Sequence, residues 1–179
     1  MCRQGILGAC LLLAAGCSVD VSVSFGGADA AAAAEHLIEN DIADQAGIGP
    51  LEAGCEEIDD PQPGDTFTCT ATTEDGETIR FDAVMEKNDT VDVESVNLVT
   101  ADGLDLIEDL AVQALEENVG ATLGAENFDC GDRGLVVEPG GTISCVLADP
   151  ADGTLYNATI TVKVLDPIEI FVEIGDPSG

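Results

Sequence analysis

A seven-residue stretch occurs twice in this chain, and the repetition constrains the fold more than any other feature. The first copy, residues 63–69, reads PGDTFTC, and the second copy, residues 139–145, reads PGGTISC. Each copy begins with a Pro-Gly turn and continues with alternating polar and apolar residues, the pattern of a strand with one buried face. A further cysteine precedes each copy, Cys55 in the first and Cys130 in the second. The sequence therefore predicts two tandem modules produced by duplication.

Each module also begins with a segment whose pattern is helical. Residues 28–46 are rich in alanine and place apolar residues four apart, and Gly47 supplies the stop. Residues 104–119 carry a clearer apolar stripe, with Asp102 as the expected N-cap and Gly120 as the stop. We therefore expect a helix ahead of each first cysteine.

Runs of alternating polarity predict the strands that follow. They cover residues 66–72, 79–85 and 91–98 in the first module, and residues 142–147, 155–164 and 168–174 in the second. Asp-Gly pairs at residues 75–76 and 152–153 predict hairpin turns, as does the Asp-Pro pair at residues 166–167. The predicted fold is α+β. Two tandem modules, residues 28–101 and 102–175, each pack one N-terminal helix on a three- to four-stranded antiparallel meander, and residues 176–179 form a tail.

The amino terminus is typical of a secretory signal peptide. Arg3 is followed by an apolar run from residue 6 to residue 15 and then by Gly16-Cys17. This run is too short for a membrane-spanning helix, which needs about 20 apolar residues. We therefore predict that residues 1–16 are a signal peptide.

Residues 13–17, LAAGC, resemble the lipobox of bacterial lipoproteins, in which the cysteine is lipidated and becomes the first residue of the mature protein. The favoured leucine lies one position further from Cys17 than in the usual pattern; residues 7–10, LGAC, fit the pattern better but leave a shorter apolar run. The resemblance implies lipidation of Cys17 and attachment to the outer face of the cell membrane. A plain signal peptide cleaved nearby is the alternative. Residues 17–27 would form a tether, although apolar residues at every second position from 19 to 25 also fit a strand.

Once Cys2 and Cys10 leave with the signal peptide and Cys17 is lipidated, four cysteines remain, and an even number in an oxidising compartment indicates disulfides. The duplication favours the pairs Cys55–Cys69 and Cys130–Cys145, because an ancestral single module could close only its own bridge. A four-cysteine zinc site is the alternative, but zinc ligands usually occur in pairs two to four residues apart. Here 13 and 14 residues lie between the paired cysteines.

The chain is strongly acidic, with 36 Asp and Glu against five Lys and Arg and a formal net charge of −31. Such a charge repels nucleic acid and anionic lipid headgroups. The acidic residues are spread along the chain among regular apolar patterns, so we do not predict a disordered acidic tail. Three interpretations remain open: adaptation to salt, attraction of a cationic partner, and binding of divalent cations.

Residue patterns that carry chemistry are weak. His36 is the only histidine and lies in the polar part of the first helix, which predicts a surface position. Residues 56–60 and 149–153 are acidic enough to suggest calcium, but neither has the spaced ligands of a calcium loop. We read both as solvated turns. We predict no catalytic residues, no metal and no cofactor.

Cys55 and residues 63–72, PGDTFTCTAT, resemble a small domain of unknown function in secreted and lipid-anchored actinobacterial proteins. The hallmark of that domain is a cysteine followed by Gly-x-x-Phe-x-Cys. The second module matches it with Ile143 in place of phenylalanine. The resemblance covers about residues 30–100 and 102–175. It implies an exported, disulfide-bonded helix-plus-sheet domain and no known activity.

In period and layout alone, the chain is also similar to the tandem-repeat β-lactamase inhibitory proteins, whose two modules form a concave protein-binding sheet. Those interfaces use aromatic anchors. This chain has five Phe, one Tyr and no Trp, and we expect most of these residues in the core.

These observations lead us to expect a non-enzymatic lipoprotein of the cell envelope, a monomer that binds or scaffolds an envelope protein. A protein inhibitor is the first alternative and divalent-cation binding is the second. An exposed apolar patch on a sheet would favour the inhibitor, whereas a uniformly acidic sheet would disfavour it.

Overall fold

The computed structural model of the chain describes residues 20–24, 29–119, 122–165 and 168–177. Over these ranges the fold is α+β, with mainly antiparallel strands and two principal helical segments. In chain order the elements are β1 Asp20–Ser24, α1 Ala30–Leu37, a π-helical turn Ile38–Ile42, α2 Ala43–Ala46, β2 Leu51–Cys55, β3 Thr66–Thr73, β4 Thr78–Glu86, β5 Thr90–Ser95, β6 Leu98–Val99, α3 Ala101–Val119, a 3-10 turn Ala125–Asn127, β7 Phe128–Asp129, β8 Leu135–Val136, β9 Thr142–Ala148, β10 Leu155–Leu165 and β11 Ile168–Pro177.

The first helical segment covers residues 30–46 without a break in helical backbone, because α1, the π-helical turn and α2 follow one another directly. The Asp29 side chain caps its start by accepting a hydrogen bond from the Ala31 amide at 3.0 Å. Gly47 ends it with φ of +62°, a left-handed conformation that glycine adopts without strain. The predicted stop at Gly47 is therefore confirmed.

The first sheet has five strands in the order β1-β5-β4-β3-β2, and all neighbours are antiparallel. Strands β2 to β5 form a meander, and β1 pairs along the free edge of β5. Residues 20–24 therefore form a strand of the sheet. The sequence suggests either a tether or a strand for the segment 17–27, and these five residues are a strand. Residues 17–19 and 25–27 of that segment, with Cys17 and the predicted signal peptide, lie outside the described residues.

The second sheet has four antiparallel strands in the order β11-β10-β9-β7. It packs against α3, a 19-residue helix that begins at Ala101. The prediction that Asp102 is the N-cap is wrong, because Asp102 lies in the first turn of the helix. The Thr100 hydroxyl accepts a hydrogen bond from the Gly103 amide at 3.1 Å and takes the capping role.

Buried apolar side chains form two clusters. One lies between the first helical segment and the first sheet, and the other between α3 and the second sheet. Strand β6 connects the clusters, since Leu98 packs in the first and Val99 in the second. The two residues of β6 pair with β8, a strand that comes after α3 in the chain.

Candidate binding surfaces

Each sheet carries one disulfide, Cys55–Cys69 in the first and Cys130–Cys145 in the second. This is the pairing that the duplication favours. Cys55 and Cys69 are direct cross-strand partners of β2 and β3. Cys130 directly follows β7, whose last residue pairs with the neighbour of Cys145 on β9. Each disulfide therefore joins the edge strand of its sheet to the adjacent antiparallel strand, β2 to β3 in the first sheet and β7 to β9 in the second.

A glutamate from the helix supports the first cysteine of each bridge. Glu35 accepts a hydrogen bond from the Cys55 amide at 3.0 Å, and Glu108 accepts one from the Cys130 amide at 2.6 Å. Burial raises the pKa of Glu108; the Cys130 amide opposes this shift, and nearby aspartates add to it. The apolar pattern of the two helices did not indicate this role for either glutamate.

The Pro-Gly turns also make matching contacts in the two sheets. The Gly64 amide donates to the Met85 carbonyl at 2.7 Å, and the Gly140 amide donates to the Val162 carbonyl at 2.6 Å. In return, the Met85 amide donates to the Asp65 carbonyl at 2.8 Å, and the Val162 amide donates to the Gly141 carbonyl at 2.9 Å. Both glycines have positive φ, +96° and +84°, which explains why a glycine follows the proline in each copy. In each sheet these bonds hold the Pro-Gly turn against the corresponding residue of the adjacent strand, Met85 on β4 and Val162 on β10.

The face of the first sheet that points away from its helix is polar. Four threonines, at positions 66, 68, 70 and 72, project from β3 on this face. Asp82 on β4, Glu94 on β5 and Glu56 line a shallow depression of about 590 Å³ on this face. The surface is therefore hydroxyl-rich and acidic, with little apolar area to bury against a protein partner.

The corresponding face of the second sheet differs at three matched positions. Val146, Leu155 and Phe171 are 39%, 46% and 50% exposed. By strand register they replace Thr70, Thr78 and Asp92 of the first sheet, in that order. Val146 and Leu155 are diagonal neighbours at one end of the sheet. Phe171 lies towards the other end, where it pairs with Thr161 of β10. Thr161 is six residues from Leu155 along that strand, so Phe171 and Leu155 are about 20 Å apart at 3.3 Å per residue.

Phe171 also has a cation beside it. The Lys163 ammonium lies 5.8 Å from the centre of the phenylalanine ring, within the range of a cation–π contact. Glu169 and Glu173 flank Phe171 on β11. This end of the second sheet therefore presents an aromatic ring among charges of both signs, whereas the first sheet has an aspartate at the matched position.

The two sheets meet at a polar junction. Arg80 donates two hydrogen bonds to Glu138, at 2.8 and 2.6 Å. Asn97 is fully buried between them: its side-chain amide donates to Glu138 at 2.8 Å and to the Thr78 carbonyl at 3.1 Å. Its side-chain oxygen accepts from the Arg80 amide at 2.8 Å. The hydrogen bonds from Arg80 and Asn97 lower the pKa of Glu138, and the bond with Glu138 raises the pKa of Arg80.

The backbone completes this junction. The Gly134 amide donates to the carbonyl of Ala46, at the end of the first helical segment, at 2.9 Å. A Cβ atom on Gly134 would lie 2.6 Å from that carbonyl oxygen, so a larger residue cannot fit without a backbone shift. The Val137 amide donates to the Asn97 carbonyl at 2.8 Å. The chain segment around β8 is thus docked on the first sheet and its helix.

The residues considered for chemistry occupy ordinary surface positions. His36 is exposed, as predicted for a surface histidine. Asp149 and Asp152 accept hydrogen bonds from the amides of Ala151 and Thr154 at 2.8 and 2.9 Å, which accounts for them as turn residues. The Thr154 bonds also lower the pKa of Asp152. Among the described residues, no three His, Cys, Asp or Glu side chains are grouped so that they could hold a metal ion.

None of the helices in the described part of the chain is long and apolar enough to cross a membrane. Comparison of the chain with protein-family models, with curated proteins and with solved structures gives no match.

Proposed function

We propose that this protein is a non-enzymatic lipoprotein, anchored through Cys17 to the outer face of the cell membrane, that binds an envelope protein through the open face of its second sheet. In this proposal, residues 1–16 are removed on export. Residues 28–101 and 102–175 are two copies of the small disulfide-bonded domain that residues 63–72 resemble. The first copy serves mainly to hold the second at the membrane.

The distribution of exposed apolar side chains carries the proposal. Four large apolar residues are the most exposed among those described. Val146, Leu155 and Phe171 lie on the open face of the second sheet, whereas Ile174 lies on its helix side. Protein interfaces favour aromatic and apolar residues at their centres and polar residues at their rims. The open face of the second sheet presents apolar and aromatic side chains at positions 146, 155 and 171, whereas the first sheet has polar side chains at the matched positions.

The proposal of two modules is supported by matched contacts. Helix glutamates, disulfides and Pro-Gly turns recur at corresponding places in the two sheets, with the same donors and acceptors. A duplicated unit would retain these contacts because each is needed to close its own sheet.

The anchor can be tested by metabolic labelling of bacterial cells with an alkyne-bearing fatty acid. We expect label and membrane fractionation for the natural chain, and neither for Cys17→Ser. The matched control is Cys10→Ser, which should retain both. Labelling that depends on Cys10 and not on Cys17, or a natural chain without label, would exclude the proposed anchor.

The binding face can be tested with a photo-cross-linking amino acid placed in turn at Phe171 and at the matched position Asp92. On intact cells, we expect a discrete cross-linked product from position 171 and none from position 92. Equal cross-linking from both positions, or none from position 171, would argue against a binding role for the second sheet.

Protein inhibition is the second candidate, favoured by the half-exposed ring of Phe171 beside Lys163. A rigid aromatic side chain among charges is a common anchor in tight interfaces. Titration against a panel of serine β-lactamases would detect this activity. Phe171→Ala should weaken inhibition by at least about tenfold, which is the scale of a hot-spot residue.

A further inference from the structure

An apolar groove of about 380 Å³ lies at the end of the second sheet nearest the C-terminus of α3. Leu115 and Leu123 form one wall, and Leu147, Tyr156 and Ile174 form the other. Asp149 and Pro150 of the β9–β10 hairpin stand at the rim. The volume lies within the range of sites that bind ligands, about 300–1,000 Å³. The groove faces the helix side of the sheet and is separate from the open face proposed above.

The first sheet has no such groove at the corresponding place. By register, Ala71 and Ile79 correspond to Leu147 and Tyr156, and the helix position of Ile42 corresponds to Leu115. These three residues of the first sheet and its helix are fully buried, whereas their counterparts are only partly buried. The same site is therefore closed in one half of the molecule and open in the other.

Two short strands close the site in the first half. Leu98 of β6 is buried in the first cluster, and Val136 of β8 packs against that cluster. The Gly134 amide then binds the last carbonyl of the helix, that of Ala46. An extended segment with a small residue followed by apolar residues thus covers the end of the first core.

The second half lacks the residues that would do this for itself. The last strand of the first sheet, which ends at Ser95, is followed by Val96-Asn97-Leu98-Val99. Ile174, which matches Ser95 in register, is followed by Gly175-Asp176-Pro177. Neither an aspartate nor a proline can supply a buried apolar side chain with a backbone donor at that position. In the part of the chain that the structure describes, no pair of strands corresponding to β6 and β8 covers these walls.

We propose that the groove binds an extended segment of another polypeptide, with a small residue followed by at least two apolar residues, in the manner in which β6 and β8 cover the first core. Cationic residues flank the apolar ones in the preferred segment, because the chain has a formal net charge of −31 and the rim carries Asp149. This inference is independent of the proposed membrane anchor and of the open face of the second sheet.

The test uses a fluorescently labelled, amidated peptide Lys-Gly-Leu-Val-Val-Lys, which reproduces the residues 134–137 that cover the first core. We expect saturable binding by fluorescence anisotropy. Ile174→Asp should weaken it by about tenfold or more, because it places a charge in the apolar wall. Thr72→Asp is the control: it adds the same negative charge at an exposed strand position, on the first sheet and away from the groove. This control should leave peptide binding unchanged.

Circular dichroism melting curves of both variants show whether they are folded. If Ile174→Asp does not fold, backbone amide shifts of the natural chain on peptide addition provide the second measurement, and they should be largest at residues 115, 123, 147, 156 and 174.

Several outcomes would overturn the inference. Equal binding of Lys-Gly-Ser-Ser-Ser-Lys would mean that charge alone attracts the peptide. Saturable binding of a medium-chain fatty amine without binding of the peptide would make the groove a small-molecule site. Dimerisation of the protein that Ile174→Asp abolishes would assign the groove to a second copy of this chain. Failure to bind at millimolar peptide would also overturn it.

Discussion

Glu35 and Glu108 make the same contact in different surroundings. Each accepts a hydrogen bond from the amide of the first cysteine of its sheet. Around Glu108, however, Asp105, Asp109 and Asp129 are close enough to raise its pKa further after the effect of burial. The two contacts match, and in the second half three aspartates act on the accepting glutamate. A shared contact of this kind is what the proposed duplication would retain.

The open faces extend this comparison. Thr70, Thr78 and Asp92 on the first sheet correspond to apolar side chains on the second, while the cysteines and the Pro-Gly turns are the same in both. This difference is the basis of the proposal that the second sheet binds a partner and that the first sheet supports it.

The largest effect should come from removing a disulfide. Replacing both cysteines of one bridge by alanine, Cys55/Cys69 or Cys130/Cys145, should lower the free energy of unfolding by about 3 kcal/mol, because loops of 14 and 15 residues are closed. For a chain of this size that is about 6–12 °C in Tm, measurable by calorimetry. An equal fall in Tm for the two variants would support the proposal that the two modules are built alike. A fall under about 2 °C for either variant would show that its disulfide is not structural.

Gly134→Ala should have the next largest effect. The added Cβ would lie 2.6 Å from the Ala46 carbonyl oxygen and 3.2 Å from that of Val99, so backbone must move. We expect a loss of about 2 kcal/mol by urea denaturation, the usual scale for overpacking. Gly54→Ala is the control, because its Cβ would meet nothing within 4 Å. Equal stability of the two variants would mean that the halves are not tightly joined at β8.

Substitution of Glu108 separates its hydrogen bond from its charge. Glu108→Ala leaves the partly buried Cys130 amide without its acceptor and should lower the free energy of unfolding by about 1 kcal/mol. Glu108→Gln keeps an acceptor oxygen and removes the charge. Because folding raises the pKa of Glu108, its ionisation lowers stability as pH rises through the folded-state pKa. The Glu108→Gln variant should therefore have a higher Tm than the natural chain at neutral pH and the same Tm in acid. A constant difference across pH would contradict this reasoning.

The smallest effect should come from the junction ion pair. Arg80 and Glu138 are about half exposed, so solvent and salt screen their attraction. Folding lowers the pKa of Glu138, so its contribution is present above the unfolded-state pKa and is lost as pH falls through the folded-state pKa. Glu138→Gln should lower Tm slightly at neutral pH and low salt, and the difference should disappear in acid or in 1 M salt. Glu173→Gln, an exposed substitution on β11, corrects for the loss of one negative charge; an equal change in that variant would show that the pair itself contributes nothing.

Sequence patterns predicted the elements whose signal is local. Alternation identified the cores of β3, β4, β9, β10 and β11, and the Asp-Gly pairs at 75–76 and 152–153 lie between their hairpin strands as expected. The missed strands are β2, β7 and β8. Strand β2 reads LEAGC, which lacks β-branched residues, and β7 and β8 have only two residues each, so their partner strands define them.

The junction and the groove depend on contacts that are distant in sequence. Arg80 and Glu138 are 58 positions apart, and neither has a neighbour that indicates its partner. The groove lies where the two halves differ in sequence after Ser95 and its register match Ile174: Asn97-Leu98-Val99 in the first half and Asp176-Pro177 in the second. Alignment of the copies beyond the second cysteine would have revealed that difference, although not the space it leaves.

The pairing of β6 with β8 also sets an order of events during synthesis. Chains emerge from the N-terminus, and early segments begin to fold before later ones exist. Leu98 reaches its partner Val136 only after all of α3 has been made. Until then the end of the first core is exposed, as the groove at the end of the second sheet is in the finished protein. A chaperone that captures nascent chains should recognise both apolar sites.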